Sequence, residues 1–468
     1  MKHNLPMSRG LATRICHVLA GSGHQAFLAG GCVRDLLLHR EPADYDVSTD
    51  ATPEQVLALF PQAIMVGAQF GVVIVPEDDH KVEVATFRSE AGYSDGRHPD
   101  QVHFTLYPEE DVRRRDFTIN GLLMRPESDE VLDYVGGQAD LRAGVIRAIS
   151  DPARRFAEDK LRMMRAVRFA ARFGFRIEPS TFDAIRKHAR TLELPLFRPD
   201  FSLAITPHST WISTERIRDE LTKLLTEGGA RRGFELLDET GLLRCVLPEV
   251  SAMKGVTQPS QFHPEGDVWV HTCLMLEGLP AACSPTLAWG VLLHDAGKPP
   301  TFKPASGPVD RIRFDGHVEA GMRLAENIGR RMHFSKDEVQ QIVALVANHM
   351  RFKDVTEMRL STLKRFVRLP LFQEHLELHR LDCLASHGNM DTYQVVSRFL
   401  AETPREVVRP SALITGSDLL SMGLKPGPLF GEILQTVEDA QLDGQIATRE
   451  EALNLARRRA QTARIGRQ

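Results

Sequence analysis

Residues 30–47, GGCVRDLLLHREPADYDV, decide the fold of the N-terminal part of the chain. The apolar run from Ala26 to Leu28 precedes them and predicts a short strand that ends at a glycine turn. The two glycines carry no Cβ, so their backbone N–H groups can approach a phosphate closely. Asp44 and Asp46 are two residues apart, and such residues point to the same side of a strand. The stretch therefore predicts a phosphate-binding turn beside a metal-binding pair of carboxylates.

Neither feature is specific by itself, because most Gly-Gly pairs are ordinary turns and most D-x-D pairs are solvated acids. Arg34 adds a group that can make charge-assisted hydrogen bonds to a phosphate. The order strand, Gly-Gly, V-R-D, apolar run and D-x-D-V resembles the signature of the class II nucleotidyltransferases, which include tRNA CCA-adding enzymes and bacterial poly(A) polymerases. The resemblance implies that Asp44 and Asp46 bind catalytic Mg²⁺ and that Gly31 and Arg34 bind the nucleotide.

Two later stretches resemble further motifs of the same family and occur in the expected order. They are RRDFTING at residues 114–121 and DYVGGQADL at residues 133–141. In isolation, the first is more often a strand entry flanked by solvated charges. The resemblance implies that Arg115 reaches the triphosphate and Asp116 a ribose hydroxyl. Glu83, in KVEVATF, is either a third carboxylate of the site or an exposed strand residue, and the sequence leaves both interpretations open.

The run EDKLRMMRAVR at residues 158–168 predicts an amphipathic helix with a basic face. A continuous helix places Asp159 and Arg162 on one face, and Arg165 and Arg168 continue it. From spacing alone, a basic helix surface without a further role explains the pattern equally well. The family resemblance implies that Asp159 and Arg162 read the Watson–Crick edge of the incoming base, since Asp accepts and Arg donates hydrogen bonds. Arg165 and Arg168 would then lie near the phosphates or the tRNA end.

A second candidate site is spread over the helical C-terminal half. Its members are His271, His294, Asp295, His317, His349 and Asp382. A single histidine on a helix is usually a hydrogen-bonded core residue, but this ordered set resembles the HD phosphohydrolase superfamily. The resemblance implies one or two bound divalent ions, either a transition metal or Mg²⁺, with Lys298 as a phosphate contact. Some bacterial CCA-adding enzymes carry such a domain with metal-dependent phosphatase, nucleotidase and 2′,3′-cyclic phosphodiesterase activity.

The composition is that of a globular protein, with 468 residues, 42% hydrophobic residues and a net charge of -4. No apolar run approaches the ~20 residues that a membrane span needs, and the N-terminus resembles no signal peptide. We therefore expect a cytoplasmic protein that does not bind a membrane.

The six cysteines form no C-x-x-C, which favours reduced, buried thiols. Between Asp151 and Arg176, seven arginines and one lysine face three acids, a stripe suited to nucleic acid.

The chain is too long for one core and predicts several domains. We expect an α+β fold, in which a nucleotidyltransferase head with a small mixed sheet precedes an almost entirely helical neck, body, HD domain and tail. Asp151-Pro152 predicts the start of the first neck helix, and Gly174 its end. The stretch around Val256 to Pro264 predicts a joint. The predicted strand-like runs are AFLAG, VVIV, KVEVATF, FTINGLLM and VLDYV, and the predicted domains span 1–150, 151–227, 228–261, 262–401 and 411–468.

The resemblance implies an enzyme that builds or repairs the 3′-CCA end of tRNA from CTP and ATP, with the tRNA 3′ end and acceptor stem as its macromolecular partner. An enzyme that adds only the terminal A, a poly(A) polymerase, or a phosphohydrolase with a tRNA-binding head are the alternatives. Against the polymerase, residues 65–75, MVGAQFGVVIV, lack the expected G-R-R/K-F sequence. Residues 88–104, RSEAGYSDGRHPDQVHF, predict a mobile loop resembling the one that CCA- and A-adding enzymes use to reposition their base-reading side chains. The sequence carries no signal for the oligomeric state.

Overall fold

A seven-stranded mixed sheet forms the centre of the N-terminal head. The structure, a computed structural model, describes residues 7–66, 71–93, 99–194, 196–197, 203–204, 212–307 and 311–465. The described strands are β1 (Ala26–Ala29), β2 (Asp46–Thr49), β3 (Ile64–Met65), β4 (Val72–Glu77), β5 (His80–Thr86), β6 (Arg88–Ala91), β7 (Gln101–Phe104), β8 (Leu122–Met124), β9 (Val131–Asp133), β10 (Val145–Ile146), β11 (Arg176–Ile177), β12 (Leu196–Phe197) and β13 (Leu203–Ala204).

The strand order in the sheet is β3-β4-β5-β2-β1-β8-β9. Only the central pair β2 and β5 is parallel, and every other neighbouring pair in this sheet is antiparallel. Side chains alternate along β5, so Val82 and Val84 are buried while Glu83 points to the opposite, exposed face. Together with the helical remainder of the chain, this sheet confirms the predicted α+β class.

One predicted strand is shorter than the sequence suggests. In FTINGLLM, Thr118–Asn120 form a 3-10 helix, and only Leu122–Met124 enter the sheet. The turn keeps Asn120 buried beside Asp116, where the amide nitrogen of Asn120 donates to the carboxylate at 3.0 Å. A straight strand through all eight residues would send these two side chains apart, so the turn is what brings them together.

The helices up to residue 252 complete the head and continue beyond it. They are α1 (Met7–Gly21), α2 (Gly31–Leu37), α3 (Pro53–Leu59), α4 (Pro108–Arg113), α5 (Gly137–Ala143), α6 (Pro152–Glu158), α7 (Leu161–Phe173), α8 (Pro179–His188), α9 (Thr214–Thr226), α10 (Ala230–Glu239), α11 (Leu242–Val246) and α12 (Pro248–Ser251). Asp151 caps α6 by accepting from the Ala153 N–H at 3.2 Å, and Gly174 ends α7 with a φ of 69°. The predicted start at Asp151-Pro152 is confirmed, and a helix ends at Gly174 as predicted, but that helix is α7 and not the one that starts at Pro152.

The chain divides into two compact units. The first comprises Met1–Ala252, Leu279–Pro285 and Arg330–Phe334, and the second comprises Met253–Gly278, Thr286–Gly329 and Ser335–Gln468. The helices beyond residue 252 are α13 (Val268–Glu277), α14 (Pro285–Leu293), α15 (Lys298–Thr301), α16 (His317–Arg331), α17 (Lys336–Asn348), α18 (Leu360–Phe366), α19 (Phe372–Ala385), α20 (Asp391–Glu402), α21 (Arg405–Val408), α22 (Gly416–Ser421), α23 (Pro428–Leu442) and α24 (Arg449–Ile465).

Two further observations concern the cysteines and the apolar character of the helices. All six cysteines have free thiols, and five of them are buried. None of the described helices combines the length and the apolar character that crossing a membrane requires.

Candidate active sites

A cavity of about 550 Å³ in the first unit collects most of the residues that the sequence motifs indicate. Both carboxylates and arginines line it, which is the charge pattern expected for a site that binds a metal-bound nucleoside triphosphate. The predicted site residues that line it are Gly31, Arg34, Asp46, Arg115, Asp116, Asp159, Arg162 and Arg165. Glu83, which the sequence left open, also lines the cavity.

Asp46 and Glu83 are direct register partners on the parallel strands β2 and β5. Burial, followed by the neighbouring charge of Glu83, raises the pKa of Asp46 to about 6. Two adjacent carboxylates that repel each other in a partly buried place are what a divalent cation with hard oxygen ligands stabilises. The donor set therefore fits Mg²⁺.

Asp44 does not lie on the same strand face as Asp46. The strand begins at Asp46, so Asp44 precedes it, and the sequence-based prediction of a shared strand face is wrong. Asp44 is exposed and is absent from the side chains that line the cavity. It is nevertheless close enough for its charge to contribute to the raised pKa of Asp46.

Gly30 allows Arg115 to approach the turn. Gly30 has a φ of 71°, and a Cβ at this position would lie 2.7 Å from an Nη atom of Arg115. Arg115 in turn donates to the Ser48 hydroxyl at 3.0 Å and to Asp111 at 3.1 Å. A Cβ this close would force the guanidinium of Arg115 to move, and the positive φ disfavours any residue other than glycine.

Asp116 is held by a buried hydrogen-bond network. Its carboxylate accepts from Nε and Nη2 of Arg165 at 2.9 and 2.7 Å and from the amide of Asn120. Although burial opposes ionisation, the charge of Arg165 and these hydrogen bonds lower the pKa of Asp116 to about 2. Asp116 therefore stays ionised and fixes Arg165 against the cavity wall.

The helix predicted over 158–168 is interrupted at Asp159. Helix α6 ends at Glu158, Asp159 has an extended backbone, and α7 starts at Leu161. Asp159 accepts from the Leu161 N–H at 3.0 Å and pairs with Arg216 at 2.8 Å, so the prediction of one helical face for Asp159 and Arg162 is wrong. Both side chains still line the same cavity.

Hydrogen bonds to other residues of the protein hold the guanidinium of Arg162 in place. Its Nη1 donates to Glu158 at 2.9 Å, and its Nη2 donates to the Arg114 carbonyl at 3.1 Å. These contacts orient the guanidinium and leave its remaining N–H groups for a ligand.

Arg168 lies away from the cavity. It is buried, with its Nε 2.7 Å from Glu220 and its Nη1 3.0 Å from Glu227, and it is not among the cavity-lining residues. Its partners belong to α9 and the residue after it, so it joins α7 to α9. Arg168 therefore lies outside the cavity, and its place near the tRNA end stays a prediction.

The segment 88–104 is partly regular. Strands β6 and β7 form an antiparallel hairpin in which Arg88 pairs with Phe104 and Ala91 with Gln101. The prediction of an irregular loop throughout is therefore wrong for the two strands, whereas its tip, residues 94–98, lies outside the described residues. Glu90 of the hairpin accepts from Arg114 Nη1 at 3.2 Å and thereby ties the hairpin to the cavity wall.

Several cavity residues were not singled out from the sequence. Arg114 and Asn120 lie inside the quoted motif RRDFTING, so the sequence contained their signal. Ser48 and Phe169 carried no such signal, because their roles depend on contacts with residues far away in the chain. Phe169 packs against the guanidiniums of Arg34 and Arg165, with centroid distances of 5.1 and 5.3 Å.

The six predicted residues of the second site also come together, all in the second unit. The fold forms two groups, His271 with His294 and Asp382, and Asp295 with His317 and His349. In each group, one possible ligand atom per residue lies within 4.8 Å of the others. The rings of His294 and His349 are 5.5 Å apart, which makes the two groups neighbours.

Three histidines of this site present the same nitrogen to its centre. The Nδ1 atoms of His294, His317 and His349 lie 2.8, 3.0 and 2.6 Å from the carbonyl three residues earlier. A carbonyl only accepts, so each Nδ1 carries a proton, and in a neutral ring Nε2 is the nitrogen that keeps its lone pair. The buried Nε2 atoms of His317 and His349 have no hydrogen-bond partner among the described residues. Burial lowers the pKa of His349 to about 4, which keeps its ring neutral. Such rings fit a metal ion.

His271 lies between two carboxylates, and Asp295 contacts an ammonium group. His271 Nδ1 is 2.7 Å from Glu265 and Nε2 is 3.1 Å from Asp382, and these carboxylates outweigh burial and raise the pKa of His271 to about 9. Lys298 Nζ is 2.6 Å from Asp295 Oδ2. His263 and Glu265, which the sequence analysis missed, form a further group with His271. They come from a loop whose proximity to the site only the fold reveals.

A mixed sheet with adjacent carboxylates beside an arginine-lined cavity, followed by a helical region, is the arrangement expected of a nucleotidyltransferase. The model of the poly A polymerase head domain matches residues 26–147. A model described as "Probable RNA and SrmB- binding site of polymerase A" matches residues 207–254, and one for tRNA nucleotidyltransferase domain 2 matches residues 323–456.

Proteins that are similar over nearly the whole chain identify the family more closely. The CCA-adding enzyme of Bacillus mycoides is 31% identical over 94% of this chain and 96% of its own length, and that of Bacillus cytotoxicus is 30% identical with the same coverage. The chain therefore belongs to the CCA-adding enzyme family, and it is a tRNA nucleotidyltransferase. Its fold is similar to that of the Bacillus stearothermophilus CCA-adding enzyme in complex with CTP, with a TM-score of 0.72, 24% identity and coverage of 99% of this chain and 100% of the other.

Proposed function

We propose that the first site adds C, C and A to the 3′ end of tRNA, using CTP and ATP. The observation that carries this proposal is the Asp46–Glu83 register pair within one cavity with Arg34, Arg115 and Arg162. A Thermotoga maritima CCA-adding enzyme of the same fold is complexed with tRNA_CCA, with a TM-score of 0.57, 19% identity and coverage of 97% of this chain and 96% of that one. Together with the family membership of the chain, this supports tRNA and the two nucleotides as partners.

The residues of the cavity divide the reaction between them. We assign Asp46 and Glu83, with Asp44, to Mg²⁺, which would lower the pKa of the primer 3′-hydroxyl and neutralise charge at the α-phosphate. The primer 3′-oxygen attacks the α-phosphorus and loses its proton to solvent, and the bond to the β-phosphate oxygen breaks. Gly31, Arg34 and Arg115 hold the departing pyrophosphate.

Base selection falls to Asp159 and Arg162. An Asp accepts from an exocyclic amine, and an Arg donates to a ring nitrogen or carbonyl, so the pair can read the Watson–Crick edges of C and A. Arg162 is held by Glu158 and by the Arg114 carbonyl, which supports a fixed reading geometry. We also propose that the chain is divided into a head, a neck, a body, an HD domain and a tail, with the bounds predicted from the sequence.

The decisive experiment supplies tRNAs that end before, within and after CCA with each nucleotide separately. Addition of C, C and A in order is expected. Extension of only the CC-ended tRNA would favour an A-adding enzyme, and long A tracts on any RNA would favour a poly(A) polymerase.

We further propose that the second site is a metal-dependent phosphohydrolase of the HD type. What supports it is the convergence of six possible metal ligands, among them three histidines whose Nδ1 atoms are turned to backbone carbonyls. A transition metal or Mg²⁺ bound there would activate a water. The water oxygen bonds to phosphorus, the P–O ester bond breaks, and the leaving oxygen takes up a proton. Purified protein should hydrolyse adenosine 2′-phosphate or 2′,3′-cyclic AMP only with added divalent ions, and no hydrolysis with any of Mg²⁺, Mn²⁺, Ni²⁺ or Co²⁺ would refute this activity.

A further inference from the structure

The loop between α12 and α13 forms part of the second site. The sequence suggested only a joint near residues 256–264. The loop is closed by an antiparallel bridge between Thr257 and Asp267 and by a hydrogen bond from the Gln258 N–H to the Gly266 carbonyl at 3.0 Å. It contributes Gln258, Phe262 and His263 to the lining of a cavity of about 680 Å³, which His317, His349 and Asp382 also line.

Chemistry fixes the orientation of the Gln258 amide. Gln258 is 4% exposed, and one end of its amide lies 2.5 Å from Lys298 Nζ. Because an ammonium group only donates hydrogen bonds, the amide atom that faces Lys298 must be the oxygen. The other end is therefore Nε2, a buried donor that has no partner among the described residues. A buried amide donor without an acceptor is costly, so a ligand that supplies one is favoured.

The ammonium group of Lys298 already has two partners in the protein. Its Nζ contacts Asp295 at 2.6 Å as well as Gln258. It balances the charge of a carboxylate that belongs to the cluster of possible metal ligands, so part of its charge is unavailable to a substrate. Gln258 stands next to it with donor capacity and no competing acceptor.

We propose that Gln258 Nε2 donates a hydrogen bond to a non-bridging oxygen of the phosphate group that the second site binds, which makes Gln258 a substrate-binding residue. The proposal rests on the phosphohydrolase function of this site. The competing interpretation is that Gln258 serves only to hold Lys298 through its oxygen.

Gln258→Glu separates the two interpretations. The carboxylate keeps the acceptor that faces Lys298 but replaces the N–H₂ donor with a negative oxygen. A role limited to holding Lys298 predicts that this variant weakens phosphate binding no more than an added negative charge does by itself, which Gln261→Glu measures in the same cavity. A phosphate-binding role predicts weaker binding, by about tenfold or more, because a hydrogen bond to a charged group is lost and a repulsion is added. Gln261→Glu is the matched control, since Gln261 lies in the same loop and lines the same cavity but is exposed.

The measurement is calorimetric titration of the Mn²⁺-loaded full chain with inorganic phosphate, with metal content determined on each sample and CCA addition as the test of folding. We expect the loss with Gln258→Glu, and less than about a threefold change with Gln261→Glu. Should Gln258→Glu not fold, Gln258→Met removes the same donor and should weaken phosphate binding too. Unchanged affinity in the folded variant, or no phosphate binding by the wild type, overturns the proposal. Phosphate binding that depends on Gln258 in a protein without hydrolytic activity supports it and refutes only the phosphohydrolase function.

Discussion

Asp46 and Glu83 lie side by side at one register position of the parallel strands β2 and β5. Strand pairing between segments 37 residues apart in sequence thus produces a carboxylate pair that neither strand carries alone. The raised pKa of Asp46 records the cost of this arrangement, since burial and the charge of Glu83 both disfavour the ionised form.

Mg²⁺ binding at the first site should therefore depend on pH. Asp46, with a pKa of about 6 in the metal-free protein, binds a proton below this value, so Mg²⁺ affinity should fall as the pH drops through 6. Glu83→Gln removes one cause of the raised pKa and should shift the midpoint to lower pH, although burial keeps it above the ordinary value. Titration of the nucleotide-free protein with Mg²⁺ between pH 5 and 8 measures both. Asp46→Asn, with no binding and no CCA addition, is the control, and an unmoved midpoint in Glu83→Gln would remove Glu83 from the site.

Arg162→Ala should relax the choice among the four nucleotides more than it slows addition, because a polar reader of a base is worth about 1–3 kcal/mol of discrimination. Arg155→Ala is the matched control. Arg155 also donates to the Arg114 carbonyl, at 3.2 Å, and pairs with Glu158, but it does not line the cavity. Misincorporation of UTP and GTP is the measurement. Equal selectivity in both variants would assign Arg162 to phosphate binding or packing.

Arg168→Met should lower the free energy of unfolding of the first unit by about 3 kcal/mol, because it breaks a buried ion pair and leaves Glu220 with only the longer contact to Arg165, at 3.7 Å. Nucleotide selectivity should stay unchanged in protein that remains folded. Arg172→Met is the comparison, since Arg172 shares Glu227 but is more exposed and should cost less than about 1 kcal/mol. Thermal unfolding and misincorporation assays together decide this. A loss of selectivity at wild-type stability would return Arg168 to the nucleotide site.

The outcome at these residues shows what a sequence reveals of a site. Motifs with local order, such as the glycine turn, RRDFTING and the series of histidines, indicated about half of the residues that line the first cavity and the six predicted residues that converge in the second site. The break at Asp159 was missed because no glycine or proline marks it, and its extended backbone is stabilised by Arg216, 57 residues away. For the same reason the role of Glu83 stayed open, and Gln258 and the partners of Arg168 were missed. Their roles depend on strand register and on loop and helix packing, which are non-local.

The double substitution His294→Ala with Asp295→Ala should abolish divalent-metal binding and hydrolysis at the second site without stopping CCA addition. The two residues contribute to both ligand groups, so their loss disrupts both. Metal content by mass spectrometry should fall relative to the wild type, and His349→Ala alone should remove only the ion held with Asp295 and His317. Loss of CCA addition in a folded double variant would mean that this region instead supports the transferase.

The hairpin of β6 and β7 should govern the change from C to A addition. Glu90 connects it to Arg114, and the carbonyl of Arg114 holds Arg162, so the hairpin is two contacts away from the side chain that we propose reads the base. Glu90→Gln keeps the shape of the side chain and removes its charge, which weakens the ion pair with Arg114.

We expect Glu90→Gln to reduce addition of A to a CC-ended tRNA by about tenfold, while addition of C to a tRNA that ends before CCA changes little, because one charge-assisted contact is worth about 1.5–3 kcal/mol. Glu110→Gln, at an exposed acid of the neighbouring helix α4, is the control. Single-turnover rates with CTP and ATP on the two tRNAs provide the comparison. Equal losses of C and A addition would mean that Glu90 only stabilises the head. If the wild type adds nothing to the shorter tRNA but extends the CC-ended one, the chain is an A-adding enzyme, and the hairpin then serves a single nucleotide.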